Sequence, residues 1–204
     1  MGQKTDWPVR REMPLTDIIC EEFAVNSVMF VSGTEGVRML NQEKLLLHMG
    51  WANQFVLAKL EELSEDDWQL KLTSEDWSIQ ELANHIVLAA GGYAQRVSGN
   101  AISTGLNMSM VIPLAQLQEY CAKADEVLRI ESHRPDTVDT YIREGRSVER
   151  SRSTIISQSI HHATEHRAQI SDTLKVHGIR ILDLDEIDVW AYSDFAGEIN
   201  SIDG

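Results

Sequence analysis

Four stretches of this chain repeat apolar residues every three or four positions, and that period restricts it to a helical fold. From about Gly36 to Ser64 one stripe holds Leu45, Met49, Ala52, Val56, Leu60 and Leu63, with Lys44, Lys59 and Glu62 off it. A second stripe, Ile79, Leu82, Ile86, Ala89, Tyr93 and Val97, follows "SIQE". There Ser78 as N-cap and Glu81 three residues later form a capping box. A third helix is expected to start near Pro113, a residue suited to a first helical turn, and carries Leu114, Leu117, Cys121, Ala124 and Leu128. The fourth runs from about Arg152 to His177 and stops at Gly178, which suits the left-handed residue just past a helix end. Before it, Val138, Tyr141 and Ile142 around Glu144–Gly145 predict a short hairpin. The expectation is all-α: a four-helix bundle with a short hairpin before the last helix. The tail from Ile179 to Ile199 is apolar enough to pack on it.

Residues 1–37 lack a sustained period, and "SGTEG" (Ser32 to Gly36) reads as a turn. They are taken as an N-terminal extension preceding one domain over residues 38–204. A chain of 204 residues suffices for one substantial core. The formal net charge of −14 argues against nucleic acid as a partner, which needs Lys and Arg to neutralise phosphates, and against anionic membranes. "FAVNSVMFV" (Phe23 to Val31) is far too short to span a bilayer. Cys20 and Cys121 lie far apart, the profile of a reduced, cytoplasmic protein, and read as small buried hydrophobes rather than nucleophiles.

The chemistry concentrates in "SIHHATEHRAQI" (Ser159 to Ile170), which holds three of the seven histidines. His162 and His166 are four apart and project from one helix face, the geometry for two imidazoles on one metal ion. His85, beside the buried stripe of the second helix, is the candidate third ligand because it can look across a bundle core. Three imidazoles suit a late divalent transition ion such as Zn²⁺ or Ni²⁺ and leave a coordination position open. A solvated helix face that happens to carry histidines is the plainer alternative. His161 and Glu165 form a rival pair on a face rotated by about 100° and are read as outward or as supports of the ligands. His177 sits eleven residues beyond His166, roughly 16 Å along the helix, and cannot share the ion. His48 falls at the core or its edge, and His133 in a loop.

His162-Ala-Thr-Glu165-His166 also spells H-x-x-E-H, an inverted zinc-protease signature in which the Glu acts as general base. Only a short tail follows His166, with Asp183, Asp185 and Glu186 on no long ligand-bearing helix. A metallohydrolase is therefore a weak alternative.

"HMGWANQFVLAKLEEL", "DWSIQELANHIV", "HHATEHRAQISDTLKVHG" and "LDEIDVWAYSDFAG" together resemble the DinB-like/YfiT-like metalloprotein superfamily, over roughly Leu40 to Gly197. The resemblance implies a four-helix bundle holding one divalent metal through a triad that falls on His85, His162 and His166. It places Arg167 and Gln169 as residues that hold helices or a dimer interface together, and Trp77 and Ser78 as the lead into the second helix. It implies a homodimer, a small-molecule substrate and, in members with assigned activities, a low-molecular-weight thiol activated on the metal for S-transfer. A non-catalytic, metal-stabilised dimer acting as a stress-response or binding protein is the alternative from another class.

Overall fold

In the computed structural model the described residues are 42–100, 102, 106–143 and 145–197. They form a mostly helical protein of five α-helices and one two-stranded hairpin. Helix α1 spans Glu43–Lys59 and continues into a 3-10 turn at Leu60–Glu62. Helix α2 spans Ile79–Ser98, α3 Leu114–Glu131, α4 Arg152–Val176 and α5 Val189–Phe195. Strands β1 (Val138–Arg143) and β2 (Arg146–Ser151) pair antiparallel, with Tyr141 opposite Val148. Their two-residue connection includes Gly145 at φ 74, a left-handed conformation that tight hairpin turns require. No helix among the described residues is long and apolar enough to cross a membrane.

Local signals explain where the helices begin and end. Ser78 Oγ accepts from the Glu81 N–H at 3.2 Å, and Glu81 Oε2 accepts from the Ser78 N–H at 2.8 Å, so the expected capping box is formed. Ser151 caps α4 by accepting from the Thr154 N–H at 3.2 Å, and Gly178 follows the helix at φ 78. Pro113 is the N-cap of α3 rather than its first residue. The expected stripe of α1 is buried at Met49, Ala52, Val56 and Leu60, but the buried face also takes in Leu46, Asn53 and Leu57, whereas Leu45 is 42% exposed. Its apolar sequence is dense enough to permit several stripes, so packing chose between them. On α2 the expected Ile79, Leu82, Ile86 and Val97 are buried, joined by Ala83, Val87, Ala90 and Ala94, while Ala89 and Tyr93 are only half-buried. The tail packs as expected, burying Leu182, Ile187 and Tyr192, but it does so by forming the short fifth helix beside α1. Asp188 starts that helix by accepting from the Ala191 N–H at 2.7 Å. Residues 1–37, and Cys20 with them, lie outside the described residues.

Helix α2 packs on α3 and α4, and α1 packs on the same two helices. The core comprises two hydrophobic clusters along the helices. On α4, His166 and Arg167 fall between Ala163 of one cluster and Ile170 of the other, and on α3 Asp125 directly follows the change from Cys121 to Ala124. A buried polar chain occupies this level. Arg167 Nη1 donates to Asn53 Oδ1 at 2.6 Å, Asn53 Nδ2 donates to Asp125 Oδ2 at 3.3 Å, and the Cys121 thiol donates to the same oxygen at 3.4 Å. Asp125 and Arg167 attract each other, yet burial dominates both. It pushes the Asp125 carboxyl up to about 6, against hydrogen bonds from Asn53 and Cys121, and it lowers the Arg167 guanidinium. Cys121 is buried and its thiol is pushed well up by burial and by Asp125, so it is no nucleophile.

Asn53 is thus the only described side chain that hydrogen-bonds both Arg167 and Asp125, and it ties α1 to α3 and α4 at once. Asn53→Ala is expected to lower the unfolding free energy by about 2–3 kcal/mol, because it strands a buried guanidinium. Urea denaturation followed by circular dichroism reads this. Lys123→Ala, which removes an exposed pair with Glu119 and a contact over the Tyr120 ring, is the control and should leave the midpoint nearly in place.

Candidate metal centre

Helix α2 supplies His85 and helix α4 supplies His162 and His166, and the packing of the two helices brings all three imidazoles together. His85 Nε2 lies 3.0 Å from His162 Nε2, and His166 Nε2 lies 3.1 Å from the same atom. One ligand atom from each of the three falls within 4.8 Å of the others. His166 is buried and the other two are half-buried. The i, i+4 spacing on α4 sets its two rings edge to face at 4.3 Å between centroids, and His85 closes on them at 4.8 and 4.6 Å.

The proton count explains what this cluster can hold. His166 Nδ1–H donates to Gln169 Oε1 at 2.7 Å, which leaves His166 Nε2 as a bare lone pair facing His162. His162 Nε2 either carries one hydrogen, and can serve one neighbour, or carries a lone pair, and can accept only from His85. In both cases one of its two contacts is left without a hydrogen bond: a protonated Nε2 has one hydrogen for two neighbours, and a bare Nε2 faces the bare nitrogen of His166. A single cation between the three nitrogens satisfies every one of them. Two nitrogens about 2.0–2.1 Å from a tetrahedral ion lie about 3.3 Å apart. The observed 3.0 and 3.1 Å need to open by only a few tenths of an ångström.

The electrostatics point the same way. Burial and the neighbouring imidazoles lower His85 to about 4, and burial followed by His166 lowers His162 to about 4. Both rings are therefore neutral near pH 7, the form that ligates metals. Trp77, 41% exposed, covers the cluster with ring centroids 4.5 Å from His85 and 5.8 Å from His166. Cavities lie on both sides. One of about 370 Å³ is lined by His166, Gln169 and Trp77 with Glu75 and Asp76. The other, about 590 Å³, is lined by His85 and His162.

The remaining histidines do other work. His48 donates from Nε2 to the Ile187 carbonyl at 2.8 Å and fastens the tail to α1. His177 donates to the Lys71 carbonyl at 2.9 Å, and His133 sits 3.3 Å from Glu43. His161 and Glu165 are both exposed, so the expected outward face is found, and no carboxylate belongs to the described cluster. Gln169 orients a ring of the triad, a role different from the helix or interface contact expected of it. Arg167, by contrast, does join helices. Sequence reasoning treated Trp77 only as a lead into α2 and passed over its cover of the imidazoles. Its place directly before the N-cap, eight residues ahead of His85, is the available signal, because two turns of α2 bring His85 back under the helix start.

The lowered imidazoles imply a pH dependence of the metal-free protein. Between about pH 4 and 6.5 the unfolded chain protonates His85 and His162 while the folded chain does not, so stability falls as the pH falls. Asp125, raised to about 6, acts in the opposite sense below that pH, but it is one group against two. The urea midpoint of chelator-treated protein should drop steadily from pH 6.5 to 4.5. A flat profile over that range would show that the imidazoles are not desolvated as described.

The family model described as "DinB family" matches residues 29–191. No curated protein matches the chain. The matched segment is most of the sequence and contains α1 to α4, the hairpin and all three clustered histidines, and on that match the chain belongs to the DinB family.

Proposed function

We propose that this chain is a metalloprotein in which α1 to α4 form a four-helix bundle and His85, His162 and His166 bind one divalent transition ion, Zn²⁺ or Ni²⁺. The observation that carries the reading is the meeting of three Nε2 atoms, one of them left bare because the His166 ring keeps its hydrogen on Nδ1, bonded to Gln169. An all-imidazole donor set favours such ions over Mg²⁺ or Ca²⁺, which prefer oxygen ligands.

The proposed activity is transfer of a low-molecular-weight thiol to an electrophilic small molecule. A bound ion with a free coordination position supplies Lewis acidity that lowers a thiol pKa, so the nucleophilic form exists near neutral pH. The chain's own residues shape the site. Gln169 holds the His166 ring in one tautomer and orientation, the support that ligating imidazoles generally receive. Trp77 shields His85 and His166 from solvent on one side, which strengthens electrostatic interactions beneath it. In the transfer itself a sulfur–carbon bond forms, the bond from that carbon to its leaving group breaks, and the thiol proton goes to solvent. Glu165, exposed on the opposite side of the H-x-x-E-H spelling, has no part in this scheme.

Purified protein reconstituted with Zn²⁺ or Ni²⁺ should hold about one equivalent by elemental analysis. His85→Ala and His162→Ala should each abolish it, and Gln169→Leu should weaken affinity about 10–100-fold. Absence of metal after reconstitution sinks the proposal. A thiol-consumption assay with and without chelator tests the transfer: a metal-loaded protein that consumes no thiol with a panel of electrophiles, but melts lower after chelation, is instead a metal-stabilised binding protein.

A further inference from the structure

The cavity of about 590 Å³ beside His85 and His162 has a charge opposite to that of the chain around it. Its lining contains Arg96 from α2 and Arg150 from β2, and it contains no acidic residue, in a protein of net charge −14. The cavity on the other side of the triad carries Glu75 and Asp76 instead. An anion approaching the imidazoles is therefore repelled on one side and attracted on the other.

Arg96 is built into place. Its guanidinium carbon lies 5.4 Å from the ring centroid of Tyr93 and 5.0 Å from that of Tyr141, so a helix residue and a hairpin residue hold it between them. Gly92, one turn earlier on α2, makes room for it: a Cβ there would sit 3.1 Å from Arg96 Nη1. The Arg150 side chain is steadied by donating from Nη1 to the Glu149 carbonyl at 2.6 Å. Among the described residues neither guanidinium forms an ion pair with a carboxylate, although acidic groups outnumber basic ones in the chain by 32 to 18. Two guanidiniums in one pocket, with no carboxylate partner among the described residues, are the usual equipment for planar, bidentate recognition of carboxylate or phosphate. The volume suits a small metabolite rather than a macromolecule.

We infer that this cavity is the substrate pocket, and that Arg96 and Arg150 bind the carboxylate or phosphate of a small anionic substrate whose other end reaches His85 and His162. The inference rests on the proposed metal centre for the direction in which the substrate lies, but the anion contacts belong to the chain alone. Arg96 and Arg150 set which substrates enter, and the Tyr93–Tyr141 pair positions the first of them. The hairpin, whose Tyr141 also packs on the core, is the wall that brings Tyr141 and Arg150 to the site.

Isothermal titration of the full chain with succinate, inorganic phosphate and neutral succinamide tests this, before and after treatment with chelator. At least one anion should bind at least tenfold tighter than succinamide, with or without metal, and succinate against phosphate tells which oxyanion the pocket prefers. Arg150→Gln, on an exposed residue of the hairpin, should remove most of that preference without altering the melting temperature, and Arg96→Met should do the same. Equal binding of anions and succinamide, or an undiminished preference in both variants, overturns the inference. Loss of metal binding with anion preference intact would refute the metal centre only, and one equivalent of metal with no anion preference would refute the pocket only.

Discussion

Two adjacent residues on α4 face different ways, and the site depends on both. Neighbours on a helix are separated by about 100°, so His166 can enter the imidazole cluster against α2 while Arg167 enters the buried polar chain against α1 and α3. The 2.6 Å contact between Arg167 and Asn53 sets the rotation of α4 about its axis and its height against α1. A quarter-turn of α4 would bring His161 and Glu165 toward α2 and carry His162 away from His85. The polar chain is a specificity device more than a source of stability, because burial raises Asp125 and lowers Arg167 despite their attraction.

The rest of the molecule arranges itself around that register. The capping box at Ser78 starts α2 at a defined residue, which places His85 two turns into the helix and Trp77 over its ring. Ser151 starts α4 directly after β2, so the hairpin lies against the first turns of the helix that carries two of the three histidines. The tail then closes over α1 through the His48–Ile187 hydrogen bond and the ring contacts of Tyr192 and Trp51. Each of these is a short-range device with a long-range consequence.

Much of this was readable from residue order alone. Helix starts and stops depend on single residues with specific backbone chemistry, and Ser78, Glu81 and Gly178 act where their types predict. The hairpin announced itself through its β-branched and aromatic positions around Gly145. The pair His162 and His166 followed from the period of the helix, since i and i+4 must share a face. Reading failed where several answers satisfied the same period. The α1 stripe could be drawn through Leu45 or through Leu46, and only the contact with α3 and α4 buries the latter. The tail was expected to pack, but its fifth helix is too short for its own period to reveal it.

The sequence by itself determined the four long helices, where they end and which histidines lie on one face, because those properties follow from local backbone chemistry and the geometry of a single helix. Tertiary structure alone decided that His85 meets His162 at 3.0 Å, that Gln169 rather than a carboxylate accepts the hydrogen bond from His166 Nδ1–H, and that Arg96 and Arg150 share a cavity. Those are distances between elements far apart in the chain. They are set by how side chains interdigitate when two helices pack, and no local period encodes that.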